Sequence, residues 1–284
     1  MGSVLIVPVR IYEESMADAR RLAEWLDDQG VDVRWAPQIG RDEDADLSDV
    51  DLAVSLGGDG TLLRAAHMVM ASGREIPVLG LSYGHLGFLT CDRGALDVTQ
   101  MVGMALAGEL LQVRRATLAG ELTGRDANGA EVTRAVSGLN EIVLSRGGSG
   151  KIVECSVRVN GHSVTDLRGD GIVVASATGS TAYALSAGGP IVSPDFRGMV
   201  CVPIAPHTLT ARAFLTSSSD VVEVEVTDGR SLDRCVFADG DDVGAGVVPV
   251  SVTVRRGAHD VVLLSNAPDV FYENVSRVFY GKVR

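Results

Sequence analysis

The chain has 284 residues, of which 46% are apolar and 22% charged, a composition typical of a globular protein with enough apolar residues for one large or two modest domains. Its 37 acidic and 25 basic residues give a formal net charge of −12 at pH 7. Because nonspecific binding to nucleic acid and to anionic membranes depends on clustered cations, this charge argues against both partners.

The sequence shows the pattern of neither a membrane-spanning segment nor a signal peptide. No apolar segment reaches the roughly 20 residues that a membrane-spanning helix needs, and the amino terminus lacks the basic region, apolar core and cleavage site of a signal peptide. The four cysteines are widely spaced without a Cys-x-x-Cys pair, which favours buried reduced thiols over disulfides, and scattered histidines give a zinc site little support. These features predict a cytoplasmic protein.

The first 110 residues alternate between patterns typical of strands and patterns typical of helices. Apolar runs predict strands at 4–9, 31–35, 51–56 and 76–81. Helical spacing of apolar residues predicts helices at 15–29, 62–70 and 94–108. The acidic segment 41–46 is interpreted as a solvated loop. Strands that alternate with helices indicate an open, mostly parallel sheet, so we predict an α/β domain over residues 1–110.

From residue 111 to about residue 260, short alternating runs are separated by turn signals such as Asn160-Gly161 and Asp228-Gly229. The runs predict strands, for example at 131–136, 141–144, 152–159, 172–175, 221–226 and 248–255. We therefore predict a β-rich domain over residues 111–260, in the form of a sandwich with almost no helix. Apolar residues return at helical spacing over 269–280, and we expect the tail 261–284 to pack on the α/β domain.

The segment Gly57-Gly58-Asp59-Gly60-Thr61 stands between a predicted strand and a predicted helix. Glycines let a ligand approach the backbone closely, and the unpaired amides at the start of a helix favour a phosphate. Asp59 would repel phosphates unless it handles a hydroxyl, a proton or a metal. The combination indicates phosphoryl transfer.

Two large classes of phosphate-binding enzyme are excluded by missing motifs. There is no Gly-x4-Gly-Lys-Ser/Thr segment and no lysine near residues 57–61, so the chain has no P-loop. The signatures of protein kinases are missing too. We therefore expect backbone amides and a divalent metal to neutralise the phosphates. A second glycine-rich segment, 80–90, follows the last predicted strand of the α/β half, at the sheet edge where such folds bind ligands.

Two polar clusters lie in the β-rich half. Asn140 and Glu141 stand at the start of a predicted strand, where an amide and a carboxylate suit ribose hydroxyls or an adenine edge. The longer cluster, 168–186, offers hydroxyls and open backbone that suit phosphate and sugar oxygens. Within it, Tyr183 is suited to cover an adenine face, with a stacking energy of about 1–3 kcal/mol. Asp170 is placed to accept a hydrogen bond from an exocyclic amine.

These segments, in this order, resemble those of the ATP- or polyphosphate-dependent NAD kinases. The resemblance rests on residues 57–61, 84–90, 140–141, 169–171 and 178–183, with extensions at 203–209 and 239–240. It covers most of the chain from about residue 50 to about residue 270. Diacylglycerol and sphingosine kinases share the first motif, and phosphofructokinases share a close variant. Asn-Glu combined with Thr-Gly-Ser-Thr-Ala-Tyr is much more specific to NAD kinases.

The resemblance implies an N-terminal α/β domain, a C-terminal β-sandwich and NAD bound between them. It implies that a terminal phosphoryl group passes from ATP or inorganic polyphosphate to the 2′-hydroxyl of the adenosine ribose of NAD, giving NADP. Mg²⁺ or another divalent metal would be held mainly through the donor phosphates. The resemblance also implies a homodimer or homotetramer in which one subunit completes its neighbour's pocket.

Particular residues take roles by the same resemblance. Asp59 would hold the adenosine ribose hydroxyls and accept the proton of the 2′-hydroxyl. Asn140 and Glu141 would fix ribose or nearby polar groups, and Asp170 would recognise adenine in a pocket lined by 181–186. The full set of implied binding residues is Gly57, Gly58, Gly60, Thr61, Arg64, Phe88, Asn140, Glu141, Lys151, Arg168, Asp170, Thr178, Thr181, Ala182, Tyr183, Ser186 and Asp241.

The chain departs from the family pattern at three places. Ser82 stands where the family usually has Asn, and Ala177 stands where it usually has Pro. Asp241 follows Asp239-Gly240, where many members carry Gln or Arg. An acid at this position would attract a nicotinamide cation and repel phosphates.

Two alternatives stay open on the residues alone. A lipid kinase of the diacylglycerol or sphingosine type shares the opening motif, although this acidic chain has no basic patch or amphipathic anchor for a membrane. A protein that binds NAD without catalysis is favoured by Ser82 and Asp241, whereas the intact Asp59 favours turnover.

Overall fold

The computed structural model describes residues 2–37, 46–84, 87–91, 94–208, 210–227, 232–267 and 271–281. The chain divides into two compact units. The first, called the α/β unit, comprises Met1–Arg114 and Asp260–Arg284. The second, called the β unit, comprises Arg115–His259.

The elements take consecutive labels along the chain. The described α-helices are α1 (Glu13–Asp28), α2 (Asp59–Ser72), α3 (Val98–Leu106), α4 (Tyr183–Ser186) and α5 (Phe271–Tyr280), and a 3-10 helix spans Thr178–Thr181. The described strands are β1 (Ser3–Pro8), β2 (Asp32–Trp35), β3 (Val50–Gly57), β4 (Val78–Ser82), β5 (Leu111–Arg115), β6 (Leu118–Arg125), β7 (Glu131–Gly138), β8 (Glu141–Arg146), β9 (Val153–Val159), β10 (His162–Gly169), β11 (Gly171–Ala175), β12 (Val200–Ile204), β13 (Phe214–Leu215), β14 (Val221–Val226), β15 (Arg234–Ala238), β16 (Asp241–Asp242), β17 (Val248–Arg256) and β18 (Val261–Ser265).

The sheet of the α/β unit has the strand order β2-β1-β3-β4-β18-β5, and the pairs from β2 to β18 are parallel. β1 is buried along its whole length, and β3 is buried except at Asp51. Helix α1 directs Ala19, Leu22 and Leu26 into a core that includes Leu52 of β3. Such fully buried strands are what a parallel sheet covered by helices requires.

The central part of this sheet is the unit β3-α2-β4. β3 and β4 are adjacent and parallel, and α2 connects them. Gly80 of β4 lies so close to Leu62 of α2 that any side chain at position 80 would overlap it. The turn from Gly57 to Asp59 therefore lies at the carboxyl end of β3, the edge at which open α/β sheets bind ligands.

The described strands of the β unit form two antiparallel sheets of six strands each, ordered β10-β9-β14-β17-β6-β7 and β13-β12-β11-β8-β15-β16. Alternate residues of neighbouring strands enter one core. Ile142 and Leu144 of β8 and Ile172 and Val174 of β11 share it with Leu122 of β6, which belongs to the other sheet. The two sheets thus pack face to face as a sandwich.

The second sheet of the sandwich is buried on its other face as well. Val143 of β8 and Val173 of β11 belong to a separate cluster with Ala184 and Val192, which follow β11 in the chain. All of β11 is therefore buried, and this explains why its sequence is apolar throughout instead of alternating.

The predicted fold class is the observed one, and some details differ. Helix α3 begins at Val98 rather than near residue 94, because Asp97 and Gln100 form a capping box that starts the helix there. The predicted turn at Asn160-Gly161 joins β9 to β10, and both residues have positive φ, as a type I′ hairpin turn requires.

The structure also contains strands that are not among the predicted examples. In the β unit these include β6, β10, β12 and β15, and in the α/β unit β18 adds a strand to the parallel sheet. β18 contains a short, fully apolar run at 261–264, which periodicity alone cannot assign to a strand rather than to a buried helix. Some predicted features lie wholly or partly outside the described residues: positions 41–45 of the acidic loop, the turn at 228–229 and positions 269–270 of the last predicted helix.

The structure also gives the state of the cysteines and the length and apolar character of the described helices. All four cysteines lie among them and are free, with Cys91, Cys155 and Cys201 buried. None of the helices within the described residues has both the length and the apolar character needed to cross a bilayer.

The core of the sandwich gives a direct test of the packing. Leu122→Ala removes a fully buried side chain from the core between the sheets, so we expect the free energy of unfolding to fall by about 2–5 kcal/mol. Leu232→Ala is the matched control, since Leu232 is 65% exposed and its truncation leaves no cavity. Chemical denaturation of the two variants measures the difference, and equal stabilities would contradict the assigned core.

Candidate active site

The turn after β3 places Asp59 at the first position of α2. Gly58 is the N-cap of the helix and has an extended backbone, and within the described residues no side chain caps this end. The first amides of a helix have no partner inside the helix and attract anions. This end of α2 therefore has the form of an anion site.

The three glycines of the turn differ in what the fold requires of them. A side chain at position 57 would overlap Thr61, so the packing of α2 on β3 requires glycine there. Gly58 and Gly60 have neither a positive φ nor a neighbouring atom that a side chain would strike. Their missing side chains instead leave an open backbone surface beside Asp59.

The Asp59 carboxylate is held by the segment that follows β4. It accepts hydrogen bonds from the backbone amides of Phe88 (2.8 Å), Leu89 (3.2 Å) and Thr90 (3.2 Å), and from the Thr90 hydroxyl at 3.3 Å. Gly87 lies against the same carboxylate, and any side chain at position 87 would overlap it. The structure thus joins two motifs that the sequence presents separately, and the second motif serves to orient Asp59.

Two predicted binding residues of the α/β unit have contacts within the unit. The ring of Phe88 stacks on Phe279 with centroids 5.7 Å apart and meets Phe271 at 6.4 Å, so helix α5 packs against the segment that holds Asp59. The guanidinium of Arg64 donates to the backbone carbonyl of Pro37. His85 and Leu86 of the predicted second motif lie outside the described residues.

In the β unit, Asn140 and Glu141 lie where β8 begins, and both are buried. The Asn140 carbonyl accepts from the backbone amide of Ser176 at 2.8 Å, and the Ser176 hydroxyl donates to the Leu139 carbonyl at 2.6 Å. The turn that carries the two side chains is thereby tied to the residues that follow β11.

Glu141 has an unusual environment for a carboxyl group. It is only 7% exposed, and its Oε2 has no hydrogen-bond partner among the described residues. Burial, together with the negative charge of Asp239, raises the pKa of Glu141 to about 8, while the backbone N–H of Tyr183 acts in the opposite direction. At pH 7 the carboxyl group is therefore mostly protonated, and it can donate a hydrogen bond as well as accept one.

The predicted hydroxyl-rich segment folds as a 3-10 helix followed directly by α4. The 3-10 helix packs on the Asn140 turn so closely that a side chain at Gly179 would overlap the Asn140 backbone. Tyr183 is 43% exposed at the start of α4. Of the other predicted residues here, Thr178 is buried, Thr181 and Ala182 are half-buried, and Ser186 is exposed. The structure thus brings the Asn140-Glu141 pair together with the 178–186 segment at one end of β8 and β11.

Asp170 lies at the opposite end of these strands. In the antiparallel pair, Ala175 is opposite Glu141, whereas Gly171 is opposite Ser145. Ala175 comes five positions after Asp170 along an extended chain, a distance of roughly 16 Å. Within one chain, Asp170 therefore does not join the 178–186 segment. Its carboxylate pairs instead with Arg146, at 2.7 Å from Nε.

The remaining predicted residues lie apart from the Asn140 turn or at its edge. Lys151 is exposed in the loop before β9, and Arg168 on β10 pairs with Glu154 at 3.1 Å. Asp241 is exposed in β16. Of the departures from the family pattern, Ser82 ends β4 and donates its backbone N–H to Cys91, and Ala177 is buried before the 3-10 helix.

Three residues have roles that the sequence patterns do not assign. Gly87 leaves room for the Asp59 carboxylate, and Ser176 and Asp239 bind the backbone of the 139–141 turn. The only sequence signals were their places in or beside the glycine-rich and hydroxyl-rich motifs. Within the described part of the chain, no group of three or more His, Cys, Asp or Glu side chains is arranged to hold a metal ion.

Comparison with protein families identifies both halves of the chain. The ATP-NAD kinase N-terminal domain matches residues 43–93, and the ATP-NAD kinase C-terminal domain matches residues 139–265. The chain is 34% identical to an NAD kinase from Methylibium petroleiphilum over 266 residues, which cover 90% of this chain and 87% of that protein. It is 33% identical to an NAD kinase from Syntrophotalea carbinolica over 288 residues, covering 95% of each.

Solved structures share the fold of this chain. The yeast NADH kinase complexed with NADH has the same fold, with a TM-score of 0.85 and 21% identity over 100% of this chain and 89% of that one. An NAD kinase from Archaeoglobus fulgidus in complex with ATP superposes with a TM-score of 0.71 and 25% identity, over 98% of this chain and 96% of that one. With both family domains matched in order and relatives aligned over nearly the whole chain, this protein belongs to the NAD kinase family.

Proposed function

We propose that this protein transfers a phosphoryl group from ATP or inorganic polyphosphate to the 2′-hydroxyl of the adenosine ribose of NAD, giving NADP. The observation that carries the proposal is the Asp59 carboxylate, which four donors hold in place beside two open glycines at the start of a helix. The relatives are NAD kinases, and the solved relative with ATP supports that donor.

The phosphates of the donor would bind at the open backbone of Gly58 and Gly60, at the positive end of α2. The sequence places no lysine near residues 57–61, so the site needs another source of positive charge. We infer that Mg²⁺ or another divalent metal, bound mainly by the donor phosphates, neutralises their charge.

Asp59 would align the attacking hydroxyl and take its proton late in the reaction. An aspartate with a reference pKa near 4 is a weak base, so alignment is the larger part of this role. The hydrogen bonds from residues 88–90 fix its orientation before substrate binds, which is the form of preorganisation that phosphoryl transfer needs.

The adenosine half of NAD would bind where Asn140, Glu141 and Tyr183 meet. A protonated Glu141 donates to a ribose oxygen and Asn140 both donates and accepts, so that the pair satisfies neighbouring hydroxyls without adding a charge. The exposed face of Tyr183 provides a stacking surface for the base.

The position of Asp170 favours an oligomer. Because β11 separates Asp170 from the 178–186 segment, a pocket that uses both takes Asp170 from a second copy of the chain. We therefore propose a homodimer or homotetramer with shared pockets, as the family resemblance implies. We also propose a cytoplasmic location, which the four free cysteines support.

The alternatives are less well supported. Both family domains and the relatives are those of NAD kinases, so a lipid kinase is not favoured. A protein that binds NAD without catalysis is not favoured either, because the chain belongs to a kinase family and its Asp59 is held in a defined position.

Asp59→Asn tests the catalytic assignment. We expect the rate of NADP formation to fall about a thousandfold or more, because the NH₂ group of asparagine would face backbone N–H groups of residues 88–90, which disturbs the alignment, and because the amide cannot accept the hydroxyl proton. A coupled assay with NAD against ATP and against polyphosphate measures the rate. Asp51→Asn is the matched control, since Asp51 lies on β3, the strand that leads to Asp59, and is exposed. Near-normal NADP formation by a folded Asp59→Asn protein would overturn the assignment.

Glu141→Gln tests the protonated carboxyl group. The pKa of Glu141 is raised on folding, so its contribution to stability is complete below the unfolded pKa of about 4.5 and is lost as pH rises to about 8. We expect the wild type to lose stability relative to Glu141→Gln over this range, by at most about 1.4 kcal/mol per pH unit and a few kcal/mol in total. Denaturation between pH 4 and 9 measures this, with Glu131→Gln as an exposed control. A difference that does not change with pH would contradict the raised pKa.

Shared pockets predict complementation between two inactive variants. In a mixed dimer of Asp59→Asn and Asp170→Ala chains, one of the two sites has both aspartates. Because about half of the dimers are mixed when the chains pair at random, co-expression should restore up to about a quarter of the wild-type activity. Each variant expressed alone is the control. If co-expression restores no activity although mixed oligomers form, Asp170 does not act across a subunit interface.

A further inference from the structure

We propose that Asp239 is a positioning residue of the NAD site: its carboxylate fixes the turn from which the Asn140 and Glu141 side chains project. The inference rests on the proposed function, because it concerns the residues that would bind the adenosine half of NAD. Asp239 itself would not touch NAD.

The Asp239 carboxylate accepts a hydrogen bond from every backbone amide of the 139–141 turn. One carboxylate oxygen, Oδ2, accepts from Leu139 at 2.6 Å, and the other, Oδ1, accepts from Asn140 and Glu141 at 2.8 Å each. The backbone N–H of Asp239 donates in return to the Glu141 carbonyl at 3.0 Å. Three consecutive amides aimed at one carboxylate fix the direction of the backbone, and hence of the side chains that leave it.

The backbone around Asp239 is shaped for this contact. Asp239 has φ of +48°, in the left-handed region that aspartate tolerates better than most residues. Gly138, at the end of β7, leaves room for the carboxylate, since a side chain there would come within 3.0 Å of Oδ1. A turn of this shape after β15 brings the carboxylate back over the start of β8.

A second set of contacts holds the same turn from the other side. The Asn140 carbonyl accepts from Ser176, the Leu139 carbonyl accepts from the Ser176 hydroxyl, and Gly179 packs directly on the Asn140 backbone. β15 and β8 also stay paired from Ala238 to Arg234. Loss of the Asp239 carboxylate should therefore loosen the orientation of Asn140 and Glu141 without unfolding the sandwich.

The chemistry explains why aspartate is needed at this position. A carboxylate is an acceptor at both oxygens, whereas an amide offers one acceptor oxygen and one donor group. In Asp239→Asn, the amide oxygen can still accept from Asn140 and Glu141, but the NH₂ group would face the N–H of Leu139. The asparagine variant should therefore keep part of the positioning, and Asp239→Ala should lose it.

Direct binding of NAD to the full chain, measured by titration calorimetry, tests the inference. We expect the Kd for NAD to rise at least tenfold in Asp239→Ala and by a smaller, severalfold factor in Asp239→Asn. In steady-state assays the KM for NAD should rise, while the KM for ATP stays within twofold of the wild-type value. A merely structural role would instead lower the active fraction, and so the apparent kcat, without this selective change.

Asp242→Ala is the matched control. Asp242 is close to Asp239 in sequence, and its carboxylate also accepts a hydrogen bond from a backbone amide. The donor is Gly244 rather than a residue of the 139–141 turn. Its loss should leave the Kd for NAD unchanged. If Asp239→Ala does not fold, as judged by circular dichroism, Asp239→Asn decides the matter alone.

The outcomes separate this inference from the proposed function. Wild-type protein that binds no NAD would refute the proposed function. Wild-type protein that binds NAD, with a folded Asp239→Ala or Asp239→Asn variant that binds it equally well, would refute only the positioning role. Equal weakening by Asp242→Ala would refute it as well, since the effect would then follow from the loss of a nearby charge.

Discussion

In each of the two units, predicted site residues depend on the same interaction, a carboxylate that accepts hydrogen bonds from consecutive backbone amides. Asp59 binds the amides of residues 88–90, and Asp239 binds those of residues 139–141. Amides in turns and at strand ends need an acceptor when they are withdrawn from water. Each carboxylate thereby joins segments that lie 29 to 31 residues apart in one case and 98 to 100 in the other. The motifs of this chain are assembled by these contacts.

Environment distinguishes two carboxyl groups, Asp59 and Glu141. Asp59 is half-buried, and four hydrogen-bond donors fix the direction of its carboxylate. Glu141 is buried, has an oxygen without a partner among the described residues and lies beside the negative charge of Asp239, so its pKa is raised to about 8. The first environment holds a carboxylate in one orientation, and the second favours a protonated carboxyl group that can donate a hydrogen bond.

Much of the fold could be predicted because its signals are local. The alternation of strands and helices before residue 110 and the turn at Asn160-Gly161 reflect periodicity and backbone preference, which neighbouring residues determine. β18 could not be assigned in this way, because a short apolar run in the tail becomes a strand only when β4 is present beside it. The start of α3 at Val98 depended on a side-chain cap, a finer signal than the apolar spacing.

The sequence by itself determined the chemistry that is available: open glycines around Asp59, the Asn140-Glu141 pair, and the hydroxyls of the 178–186 segment, in the order typical of NAD kinases. Only the tertiary structure decided which of these groups are neighbours. The register of β8 and β11 places Glu141 beside the 178–186 segment and Asp170 at the far end, although Asp170 and the 178–186 segment lie in the same polar cluster of the sequence. The physical reason is that residue type determines the chemistry of a side chain, whereas strand pairing and long-range hydrogen bonds determine its position and its neighbours.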